Sequence, residues 1–201
     1  MNLPDHPTNE DCCLEIVRVA ENFLPLKHWG FKQSAFLAEE KPRVIYDSEW
    51  CRIMLLWGGS VVNSAYSVGV FYGRLHAPTD EFVMKWNGEE CYCWHHVDKA
   101  IFLLDGLTPK NAVDQINNDK GPRVKEEFEQ DNRIQLRDGM SPTEWDVKMH
   151  AVIWEQYGNR LFELFDLRHP ELWERYAQFV KEFYRLLELD FDSNLPPDKI
   201  C

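Results

Sequence analysis

The chain predicts an α+β fold: an antiparallel sheet of four to five strands, about residues 43–94, packed by an N-terminal helix and several C-terminal helices. Three observations predict it. Strand-like alternation and strand-forming residues are confined to the middle third, in VIYDSEWCRIMLLWGG, YSVGVFYGRLHAP and EFVMKWNGEECYCWHHVD. Apolar residues recur at three- and four-residue steps before and after it. Hydrophobic residues make up 44% of the 201, enough for one packed core, so residues 1–201 read as a single domain with loose ends at 1–8 and 190–201.

The elements follow in order. Thr8 or Asn9 caps a first helix, with Glu10 and Asp11 in its opening turn and Cys13, Ile16, Val17, Ala20, Phe23 and Leu24 on one side; Pro25 ends it. Trp29-Gly30-Phe31 can open a short strand, and Ser34 to Glu40 reads as a helical turn. Arg43–Tyr46 is a strand, Asp47-Ser48-Glu49 a turn, and Trp50–Trp57 a strand apolar on both faces, hence central and covered on both sides. Ser67–Leu75 is the next strand, where Gly69 and Gly73 signal a bulge or a close neighbour. Glu81–Trp86 and Glu90–Trp94 flank Asn87-Gly88, a hairpin dipeptide.

From Val97 the period becomes helical. Val97, Ala100, Ile101 and Leu104 form a helix closed by Gly106. Thr108-Pro109 and Ser141-Pro142 each read as cap and first helical residue. Residues 123–139 are highly charged and read as a short helix and a loop. Two long apolar stripes, Trp145 to Phe165 and Trp173 to Leu187, predict a final helix pair. This layout of leading helix, strand meander and trailing helices is similar in outline to compact bacterial proteins, some toxin-immunity proteins among them.

Charge narrows the function. With 22 basic and 34 acidic residues the net charge is −12, which disfavours nucleic acid and anionic membranes unless a local basic patch forms, and favours a basic protein partner or a cationic small ligand. The start MNLPDHPTNEDCC lacks a signal-peptide pattern, and no run approaches the ~18 apolar residues of a membrane span, so the expected setting is cytoplasmic, with the six cysteines reduced.

The nucleotide-binding and serine-hydrolase motifs are absent, and the sequence leaves any cofactor unidentified. The expected role is a non-catalytic binding or protein-interaction protein of immunity or regulatory type. A second reading gathers Arg74, His76, Trp94 and His95 into a ligand-binding or catalytic cleft at one sheet edge, with Asp80, Glu89, Glu90 and His96 nearby. A third uses Cys91, Cys93 and a histidine as metal ligands, although C-x-C is shorter than the usual structural-zinc spacing. The tryptophans and tyrosines at 50, 57, 72, 86, 92 and 94 read first as core.

Overall fold

A computed structural model describes residues 7–39, 41–59, 66–79, 83–86, 89–118, 120–137 and 140–188. Among these lie six helices and seven strands: α1 (Asn9–Phe23), β1 (Lys32–Leu37), β2 (Arg43–Asp47), β3 (Arg52–Gly59), β4 (Tyr66–Gly73), β5 (Val83–Trp86), β6 (Glu89–Tyr92), β7 (His95–His96), α2 (Val97–Leu104), α3 (Pro109–Asn117), α4 (Arg123–Arg137), α5 (Pro142–Phe165) and α6 (Pro170–Glu188). The α+β expectation holds. The main sheet has the order β1-β2-β3-β4-β7, antiparallel throughout.

Three details differ from the sequence reading. Ser34 to Glu40 is not a helical turn: Lys32–Leu37 is an edge strand, with a register shift between Gln33 and Ala35. Its residues are mostly exposed and the irregularity breaks their alternation, which hides the strand from a pattern search. The 123–139 segment carries a helix of 15 residues. β5 and β6 pair with each other, outside the main sheet, and Trp86 stands opposite Glu89. The Asn87-Gly88 turn, Asp80, residues 1–6 of the expected loose end at 1–8 and all of the one at 190–201 lie outside the described residues.

The caps follow their sequences. Thr8 and Asp11 form a capping box on α1, and Ser141 and Glu144 form one on α5. Gly106, at φ 79°, closes α2: its N–H donates to Leu103 and that of Leu107 to Phe102, the paired bonds of a left-handed cap. Arg18 on α1 joins the second box by pairing with Glu144, 3.0 Å away.

The two faces of the sheet are covered unequally. Val44, Tyr46, Ile53, Leu55, Val70 and Tyr72 belong to one large core shared with residues of all six helices. Tyr46, Ile53, Tyr72 and His95 form one transverse row on this face. The other face holds a small cluster of Ile45, Met54, Ala77, Cys93 and Trp94, covered by the 74–79 turn and the 93–94 segment rather than by helices. Double coverage of β3 is therefore met, but helices supply only one side. Gly73 admits the second cover: a Cβ there would stand 2.8 Å from the Cys93 carbonyl oxygen. Cys12, Cys13, Cys51 and Cys93 are buried thiols. No helix among the described residues is long and apolar enough to cross a membrane.

Candidate functional site

Strand β7 is two residues long and pairs only with Phe71 and Tyr72 of β4. Among the described residues the Val68–Val70 stretch of β4 therefore has no strand beside it on that edge, and a pocket of about 220 Å³ opens there. It is walled by Val68, Gly69 and Val70, by His96, Val97 and Asp98 at the start of α2, by Lys125 of α4, and by Asp146, Met149 and His150 of α5.

The polar groups of this pocket differ sharply in how they are satisfied. Asp98 and Lys125 form an ion pair with each other. The Asp146 carboxylate accepts a hydrogen bond from the Val68 backbone N–H at 3.2 Å. Burial pushes its pKa up to about 6, against the opposing pull of that N–H and of Lys125. Asp146 and His150 stand one helical turn apart, so both reach the same side of α5.

His150 is 5% exposed and belongs to a buried chain. The Trp154 Nε1–H donates to the Tyr72 oxygen at 2.7 Å, and the Tyr72 oxygen lies 3.0 Å from His150 Nδ1. An indole N–H can only donate, and the arrangement that gives the phenol proton an acceptor has it donating to Nδ1, with the imidazole proton on Nε2. Burial holds the His150 pKa well below its ordinary value, with Lys125 and His96 adding to the effect. The ring is a neutral, fixed wall. Its Nδ1 partner is a phenol rather than a carboxylate, so nothing at that position stabilises an imidazolium during proton transfer.

The residues expected from sequence are spread over both faces of the sheet. His95, 6% exposed, enters the helical core, with ring centroids 5.5 Å from both Trp173 and Tyr176. Arg74 lays its guanidinium 5.1 Å from the Trp173 ring centroid, so Arg74 and His95 meet at Trp173. Burial first lowers the Arg74 pKa, opposed by Asp166. Trp94 is on the opposite face, where its Nε1–H donates to the Pro78 carbonyl at 2.9 Å. His76 lies exposed on the 74–79 turn, its imidazole held below the usual pKa first by partial desolvation and then by the charges of Arg74 and Arg52. His96 is exposed, against Phe71 at 4.4 Å between centroids, at the pocket described above.

For the metal reading, β6 ends at Tyr92 and β7 begins at His95, so Cys93 and His95 do not share a strand face: Cys93 joins the outer cluster and His95 the helical side. The Cys91 side chain lies outside the described residues. No group of three or more His, Cys, Asp or Glu among the described residues is arranged to hold a metal ion.

Sequence reasoning missed Asp98, Lys125, Asp146 and His150 as a group because they come from three separate helices. One signal was available: Asp146 and His150 interrupt the apolar stripe of α5 at helical spacing. No family model, curated protein or solved structure matches this chain, so the site is read from its own residues.

Proposed function

We propose that the protein is a non-catalytic binding protein of regulatory or immunity type, whose pocket at the β4 edge receives a positively charged group. That group belongs to a small amine or to a basic side chain of a protein partner. The observation that carries this reading is Asp146: a carboxylate lining a pocket, with one backbone N–H as its donor, while Lys125 is engaged by Asp98. A cation placed there adds to the partial compensation that the Val68 N–H and Lys125 supply against burial. The chain's net charge of −12 draws such a group toward the surface, and the neutral, phenol-bonded His150 suits a wall better than a general base. Four buried thiols fit the reducing, cytoplasmic setting expected from sequence.

The test is thermal denaturation with n-butylamine and, at equal concentration, n-butanol. Ligands that bind only the folded state raise the midpoint. The amine is expected to raise it, the alcohol not, and Asp146→Asn is expected to abolish the difference. Equal effects of amine and alcohol, or an amine effect untouched by Asp146→Asn, would refute the reading.

A further inference from the structure

Away from this pocket, the α1–β1 connection and the β2–β3 turn face each other across a cleft of about 640 Å³, lined by Lys27, His28, Trp29, Lys32 and Trp50, with Asp47, Ser48 and Glu49 along one side. Such a volume lies within the ~300–1,000 Å³ of small-molecule sites.

Both walls are built from hydrogen-bonded turns. Gly30, at φ 71°, lets its N–H reach the Lys27 carbonyl while Phe31 N–H bonds to Leu26, which fixes Lys27, His28 and Trp29 in one tight turn. Opposite, the Ser48 hydroxyl accepts from the N–H groups of Trp50 and Cys51 and donates to the Cys51 carbonyl. The Trp29 ring is seated on α5, where Gly158 makes room and Phe162 meets it edge-on at 5.1 Å between centroids. The Trp50 ring has the Arg168 guanidinium 4.9 Å from its centroid.

Charge pairing decides what the cleft selects. Asp47 is held by both Nε and Nη2 of Arg52, at 2.8 and 2.9 Å, and Glu49 lies 3.7 Å from Arg168. Asp47 thus has an arginine of its own, while Glu49 shares Arg168 with Asp166, which holds that guanidinium at 2.7 Å. Lys27 and Lys32 are exposed and have no acidic partner among the described residues, and Lys32 stands opposite the already engaged Asp47. The cleft is locally cationic on an acidic molecule: the basic patch that composition alone could not reveal.

We infer that this cleft binds a small planar anion, its ring against Trp29 or Trp50 and its negative group between Lys27 and Lys32. An aromatic carboxylate and a purine monophosphate share this chemistry. Calorimetric titration of the full chain at about 50 mM salt, where surface charges are weakly screened, uses 2-naphthoate, adenosine 5′-monophosphate, adenosine and inorganic phosphate. Binding of either planar anion, at least about tenfold tighter than adenosine and than phosphate, supports the site, and the stronger of the two identifies the source. A Lys27→Ala/Lys32→Ala double variant, with both changes on exposed side chains, is expected to lose about tenfold in affinity; Asp146→Asn is expected to change nothing, which separates this cleft from the β4-edge pocket. Silence from both anions, adenosine or phosphate matching the monophosphate, or binding unaltered in the double variant would overturn the assignment.

Discussion

Asp146 shows how one carboxylate can set a pH response. Its folded pKa, about 6, exceeds its unfolded value of 3.8. Between these two values the folded state holds a proton that the unfolded chain has released. This group's contribution to stability is therefore greatest at acid pH and is lost as pH rises through about 6. At about 1.4 kcal/mol per pKa unit the difference is at most about 3 kcal/mol, less with solvent screening. Asparagine keeps an acceptor for the Val68 N–H and has no charge to bury. Asp146→Asn should therefore be more stable than the parent at pH 8, with the gap closing toward pH 4. Urea midpoints at the two pH values check this, and equal midpoints at pH 8 would contradict it. His150 works in the opposite direction: its depressed pKa costs stability as pH falls below about 6.5, where the unfolded imidazole takes up a proton. The variant should therefore also reveal a steeper acid loss than the parent displays.

At the scale of elements, α5 presents a contest of signs. Glycine inside a helix costs about 1 kcal/mol relative to alanine. At Gly158, however, a Cβ would overlap the ring of Trp29. Overpacking of this kind costs about 1–3 kcal/mol. Trp29 lies on α5 with its ring over Gly158 and edge-on to Phe162, so any retreat breaks that contact. Gly158→Ala is accordingly expected to lower stability by up to about 2 kcal/mol; a stabilised variant in a denaturant titration would show that the turn at 25–30 is free to move. The same comparison explains what the sequence disclosed. Elements with a cap and one apolar side, such as α1, α3 and α5, were legible because residue spacing determines both, and α6 was legible from its apolar stripe. β1 was not, because an edge strand with exposed side chains and a shifted register carries neither alternation nor apolarity. α4 was underestimated because its charged sequence gives little periodicity to read. The candidate pocket was the least legible, since its walls come from β4, α2, α4 and α5, and what opens it is the shortness of β7. Arg74 and His95 do converge, but on Trp173, a residue almost eighty positions from His95 that no local pattern links to either.

For the whole molecule, unequal covering should produce unequal local stability. β3 lies between β2 and β4 and has side chains buried on both faces. Among the described residues β1 has a partner on one edge only, and it is largely exposed. Amide exchange is expected to be slowest in Arg52–Trp57 and fastest, among the main-sheet strands of comparable length, in Lys32–Leu37. Uniform protection across the two strands would mean that the sheet opens only as a unit.

The buried thiols have a further consequence. Cys12, Cys13, Cys51 and Cys93 are each at most 4% exposed, and burial raises the pKa of Cys12, Cys13 and Cys51. The thiolate is the nucleophile that attacks an alkylating reagent, so shielding and suppressed ionisation act together. A brief maleimide pulse on the native protein should leave these four unmodified, and a pulse in denaturant should capture them all. Mass spectrometry of peptides after such pulses would then turn the sulfur atoms into built-in timers of unfolding: Cys12 and Cys13 for the leading helix, Cys51 for the heart of the sheet, Cys93 for its thin outer cover.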